Sequence, residues 1–175
     1  MDLSVFNVFH AWAGHSAIVD WLVVVAAKYL PWGLIIAGLV FAVRGVSRVL
    51  RLENLIFIAL ALLVSRGFLT EIVRIFVELD RPFVALGFEP LIEQSATYAF
   101  PSGHAAVFFA LAAALWFMKR KWGYWFGALA AINGIARVAA GVHWPADIAA
   151  GAMVGILSAL LIRLLLSKIP KRAVS

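Results

Sequence analysis

The chain predicts an all-α bundle of membrane-spanning helices. Of its 175 residues 65% are hydrophobic, the mean hydropathy is +0.99, and the apolar residues gather into five long runs divided by short basic or polar segments. Only 14% of residues are charged, which excludes an ordinary soluble domain. The length suits one domain, residues 1–175, with no room beside the spans for a soluble module. The net charge of +6 would suit a nucleic-acid partner, but nine of the fifteen Lys and Arg fall in three short segments between or after apolar runs. That distribution reads as positive-inside topology, with the bilayer as partner and no nucleic acid. The absence of cysteine excludes disulfides and thiolate metal sites.

Residues 3–16 are too short to span. On a helical wheel Val5, Phe6, Phe9, Trp12 and Ala13 oppose Asn7, His10 and Gly14, so an N-terminal interfacial helix is expected. The first span, about 18–43, contains Lys28 and Pro31, where a kink is expected. It is too long for a signal-peptide core and lacks a basic start, and so reads as a mature span. The second runs over about 54–77, a polar stretch fills 78–101, and the third covers 102–118. The fourth, about 123–141, meets the fifth, about 146–167, through the turn Gly141-Val142-His143-Trp144-Pro145. If the basic segments 44–51, 119–121 and 168–172 are cytoplasmic, the loops 78–101 and 141–145 lie on the outer side. Trp12, Trp21 and Trp144 then suit the outer interface, and Trp116, Trp122 and Trp125 the inner one.

Three fragments place charge where hydrocarbon makes it expensive: Arg74-x6-Arg81-Pro82, Pro101-Ser102-Gly103-His104 and Arg137-x5-His143-x3-Asp147. A spacing of seven puts Arg74 and Arg81 on one helical face if the second span persists that far, with Pro82 ending it. Two guanidiniums can then hold different oxygens of one phosphate. Ser102 reads as an N-cap, so the third span offers its free N–H groups to an anion while Gly103 lets that anion approach the backbone. Pro145 suits the first position of the fifth helix, which sets Asp147 in its first turn close to His143. A carboxylate on one imidazole nitrogen fixes the tautomer and frees the other nitrogen to attack. The fragments together make a phosphate cradle of Arg74, Arg81, Ser102, Gly103 and Arg137, a nucleophile His143 oriented by Asp147, and a general acid His104. A phosphohistidine route follows, with the arginines supplying the positive charge and neither a metal nor a cofactor called for.

At these residues the chain resembles the type 2 phosphatidic acid phosphatase superfamily, with its pattern Lys-x6-Arg-Pro, Pro-Ser-Gly-His and Ser-Arg-x5-His-x3-Asp. The match spans residues 74–147, with Arg74 in place of the usual lysine and Ala136 in place of the usual serine. Phe9, Trp12-Ala13-Gly14, Asp20 and Lys28-Tyr29-Leu30-Pro31 are similar to the short bacterial undecaprenyl-diphosphatase branch. That resemblance implies cleavage of undecaprenyl diphosphate to the monophosphate outside the cytoplasmic membrane, in recycling of the cell-wall carrier lipid.

Phosphatidylglycerophosphate, phosphatidate and lipid A phosphates are the alternative substrates, since no Lys or Arg between Pro82 and Met118 marks a second phosphate. A non-catalytic lipid-phosphate binder or translocator is the alternative of another class, and a haloperoxidase a third. The histidine–aspartate pair argues against mere carriage, and the five spans against a haloperoxidase, whose known relatives are soluble. Arg66, outside the motifs, is expected to pair with Glu71.

Overall fold

The computed structural model describes residues 3–168, and no strand occurs among them. Seven helices follow in order: α1 (Leu3–His10), α2 (Ala17–Val43), α3 (Arg48–Phe76), α4 (Pro82–Leu86), α5 (Gly103–Met118), α6 (Arg120–Ala139) and α7 (Pro145–Ser167). Five of these are long rods matching the five expected spans. By length and apolarity α2, α3 and α7 each suffice to cross a membrane, whereas α5 is apolar but shorter and α6 is more polar. The remainder of the basic segment 168–172 beyond Lys168 lies outside the described residues.

The reason α5 can be short is that it is central. Nine of its sixteen residues are buried, and it packs most extensively on α6 and α7. Leu34 of α2, Phe57 and Ile58 of α3, Leu111 and Leu115 of α5, Phe126 of α6 and Ile162 of α7 form one apolar core. The outer rods instead turn large side chains away from the bundle, with Trp32 67%, Ile75 74% and Phe76 80% exposed. So continuous an apolar exterior is the surface a bilayer covers.

Glycines set the close contact between α5 and α7. A methyl on Gly151 would meet the Ser102 carbonyl at 2.4 Å, and one on Gly155 the Ala106 carbonyl at 2.3 Å. Their four-residue spacing lets α7 lie backbone to backbone on α5. The starts of both helices are tied as well, since Ser102 N donates to the Asp147 carbonyl at 3.0 Å.

Several boundaries differ from expectation for identifiable reasons. A π turn at Val25–Tyr29 precedes Pro31, the helix continues beyond it to Val43, and the Ala27 carbonyl, which would have paired with the missing N–H, accepts from Asn133 and Arg137 instead. Helix α3 starts earlier than expected, because Ser47 caps it by accepting from Leu50 N at 3.3 Å, and a second π turn at Leu63–Leu69 interrupts it. The N-terminal helix is shorter than 3–16 and is docked rather than lying free. Phe6 is fully buried against Trp144 (ring centroids 5.0 Å), and His10 donates from Nδ1 to the Ala139 carbonyl at 2.9 Å. Trp144, expected at the interface, is buried and donates from Nε1 to the Asp80 carbonyl at 2.9 Å.

Candidate active site

The ends of α3 and α6 and the starts of α5 and α7 meet at one end of the bundle, and the three sequence fragments lie there. Local rules place the third fragment. Pro145 begins α7, and Asp147 Oδ2 accepts from Trp144 N at 2.7 Å, closing the helix start. The same oxygen lies 3.1 Å from His143 Nδ1, with both side chains buried. One carboxylate oxygen thus caps the helix and orients the imidazole.

The tautomer of His143 follows from its neighbours. Its Nε2 lies 3.3 Å from Arg81 Nη1. A guanidinium can only donate, so Nε2 carries the lone pair and Nδ1–H donates to Asp147. Burial, and after it the cations Arg137 and Arg81, hold His143 well below the usual histidine range, so the ring is neutral at pH 7. The site therefore contains an unprotonated ring nitrogen facing a cation.

Arg81 is fixed more firmly than its spacing suggested. Nε donates to the Thr97 carbonyl at 2.8 Å, and Nη1 to the Val142 carbonyl at 2.9 Å. Burial, then Arg74, brings its guanidinium down to about 10, opposed by Asp147, and it stays charged at neutral pH. The expected helical face linking Arg74 and Arg81 does not form. Helix α3 ends at Phe76, Val77 turns extended, and Pro82 begins α4 instead of ending α3. Arg74 still reaches the site, with Nη2 donating to the Pro101 carbonyl at 3.4 Å and Nη1 paired to Glu71 at 3.1 Å. Arg66 pairs with the same Glu71 oxygen, as expected.

Ser102 is buried and caps α5 by accepting from Ala105 N at 3.5 Å. Gly103 is buried beside it, and His104 is exposed on the next step of the helix, with its ring 6.1 Å from Phe108. Arg137, buried near the end of α6, donates from Nη2 to Gln94 Oε1 at 2.8 Å and from Nη1 to the Ala27 carbonyl at 3.4 Å. The Nε atoms of Arg74 and Arg137 are buried without a partner. Buried donors left empty at a cationic site are where anion oxygens bind.

Three partners escaped the sequence reading. Gln94 and Thr97, in the 78–101 loop, hold Arg137 and Arg81, and Asn133 donates to the Ala26 carbonyl of the first π turn at 2.7 Å. The only signal for the first two was the polarity of that loop.

A multi-pass helical membrane protein with this cationic, histidine–aspartate site belongs to a defined class. The chain belongs to the PAP2 superfamily, whose model matches residues 54–171. It is 24% identical over 159 residues to undecaprenyl-diphosphatase BcrC of Bacillus subtilis (strain 168), covering 90% of this chain and 80% of that one. It is 40% identical over 83 residues to the bacitracin transport permease protein BcrC of Bacillus licheniformis, a match of 47% of this chain and only 41% of the relative. The fold is that of Aquifex aeolicus LpxE, with a TM-score of 0.69, 23% identity, and 93% of this chain and 94% of that one covered.

Proposed function

We propose that the protein is a metal-independent lipid phosphatase that converts undecaprenyl diphosphate to undecaprenyl phosphate on the outer face of the bacterial inner membrane. The observation that carries the reading is the buried His143–Asp147 pair, with its free nitrogen turned toward Arg81. His143 Nε2 attacks the terminal phosphorus, and the positive charge gathered in Nδ1–H is balanced by Asp147. Arg74, Arg81 and Arg137, with the N–H groups at Gly103, hold the equatorial oxygens as charge builds. His104 protonates the departing oxygen, then takes a proton from the water that opens the phosphohistidine. The Bacillus subtilis relative's name supports the choice of substrate.

The test is phosphate release by purified protein from undecaprenyl diphosphate, phosphatidylglycerophosphate, phosphatidate and a lipid A phosphate. The diphosphate is expected to be the best substrate, with chelator without effect. Vanadate, which mimics five-coordinate phosphorus, is expected to inhibit about 100-fold below the concentration of phosphate needed. Activity lost in chelator and restored by a divalent cation overturns the mechanism. Preference for another member of the panel overturns the substrate, and no release from any member favours a carrier.

Sidedness is tested separately. The chain has no cysteine, so single cysteines report cleanly. In vesicles of known orientation, an impermeant thiol reagent is expected to label Glu89→Cys from outside and to miss Arg120→Cys. The reverse pattern overturns the outward-facing site.

A further inference from the structure

Two basic residues that take no part in the steps above adjoin the site. Lys28 and Arg66 lie within membrane-spanning helices, where charge is costly unless it faces water or a partner. Each is carried by one of the two π turns, a feature frequent at functional sites. Both line a single cleft of about 230 Å³ between α2, α3 and the start of α5, together with Gly103, His104, Trp32 and Phe108.

Arg66 lies so close over Gly103 that a methyl there would meet its Nε at 2.7 Å. Arg66 and Arg74 share Glu71, which couples the cleft to the phosphate cradle. Lys28 is exposed and has no ion-pair or hydrogen-bond partner among the described residues. Its ammonium therefore keeps all three donors for a ligand.

The position of His104 gives the cleft its direction. In an in-line displacement the leaving group departs opposite the nucleophile, toward the group that protonates it. His143 is buried and does not line the cleft, whereas His104 does. The leaving group therefore occupies the cleft. An alcohol leaving group brings no charge into the cleft, whereas a phosphate leaving group brings negative charge that cations there would balance.

Resting on the phosphatase reading, we propose that this cleft seats the second, lipid-linked phosphate of a diphosphate substrate, with Arg66 and Lys28 as its charge partners. In the first step the bond from Nε2 to the terminal phosphorus forms and the bond from that phosphorus to the bridging oxygen breaks. The electron pair and the His104 proton pass to the bridging oxygen, and the lipid monophosphate leaves through the cleft. Water then adds its oxygen to the phosphohistidine phosphorus, the bond from that phosphorus to Nε2 breaks with its electron pair returning to the imidazole, His104 takes the proton of the water, and inorganic phosphate is released. The apolar wall at Trp32 and Phe108, with Trp32 largely exposed, leads the first isoprene units toward the bilayer.

The experiment measures kcat/KM for an isoprenyl diphosphate and for a phosphatidate in wild type, Arg66→Gln, Arg66→Lys and Lys28→Gln. Losing Arg66 also leaves Glu71 wholly to Arg74, but that acts on both substrates and cancels in their ratio. The diphosphate-to-monophosphate ratio is expected to fall about tenfold to a hundredfold in Arg66→Gln, with partial recovery in Arg66→Lys. A fall of roughly threefold to tenfold is expected in Lys28→Gln, whose exposed side chain makes no contact that folding requires. An unchanged ratio in Lys28→Gln and Arg66→Gln, or a wild type that cleaves only the monophosphate, overturns the subsite. A wild type that releases phosphate from neither lipid sinks the phosphatase reading instead.

Discussion

His143→Ala is expected to abolish turnover, with phosphate release falling by about 10⁴-fold or more, because in the proposed mechanism its Nε2 forms the phosphoenzyme bond. Asp147 is expected to behave differently. Its Oδ2 serves both Trp144 N and His143 Nδ1, while Oδ1 is buried without a partner. In Asp147→Asn a carbonyl oxygen can keep both contacts, so the substitution removes charge but little geometry. About 10²-fold is expected to be lost, with the phosphohistidine still formed. Asp147→Ala removes the cap and the orienting contact together and is expected to fall between the other two. Trapping of acid-labile radioactive phosphate on the protein separates the cases, since it requires His143 and not Asp147. Labelled phosphoprotein from the His143→Ala variant would show that the nucleophile is elsewhere.

Gly155→Val is expected to be strongly damaging although it lies outside the site. Its first added carbon would lie 2.3 Å from the Ala106 carbonyl oxygen and 2.7 Å from Ala110 N, both backbone atoms that no rotamer change can move aside. Helices α5 and α7 must separate, at a cost of roughly 1–3 kcal/mol or more for overpacking. The separation also reaches the chemistry, because Ser102 leads α5, Asp147 leads α7, and the two are joined by a backbone hydrogen bond. A lowered midpoint of thermal unfolding in detergent is expected, together with loss of kcat in the fraction that stays folded. Gly127→Val is the control, since nothing lies within 4 Å of an added Cβ there. Equal stability of the two variants would show that the glycine contact is not a tight one.

The parts of this architecture that were legible in the sequence are those governed by neighbours in the chain. Ser102 caps a helix, Pro145 starts one, and a carboxylate four residues after a histidine meets it across that start. What stayed hidden depends on residues far apart. Arg137 is held by Gln94, 43 positions away, and Asn133 reaches a carbonyl 107 positions away. The Arg74–Arg81 pair was misread because spacing was converted to a helical face, whereas the chain leaves the helix at Phe76 and returns by an extended turn. Both π turns were invisible for a related reason: an extra residue per turn leaves little mark on a run that is apolar on most of its faces.

The length of α5 carries a consequence for how the substrate is handled. Its 16 residues rise about 24 Å, against roughly 30 Å for a hydrocarbon core, so its phosphate-facing end lies several ångströms below the headgroup plane if its other end is flush with the opposite boundary. In that placement the reactive groups would occupy the floor of a well sunk into the membrane. A carrier lipid drawn up to a raised site would expose methylenes at about 0.8 kcal/mol each. At a sunken site the headgroup descends while the chain stays in oil, and the work of lifting a long polyprenyl tail never arises.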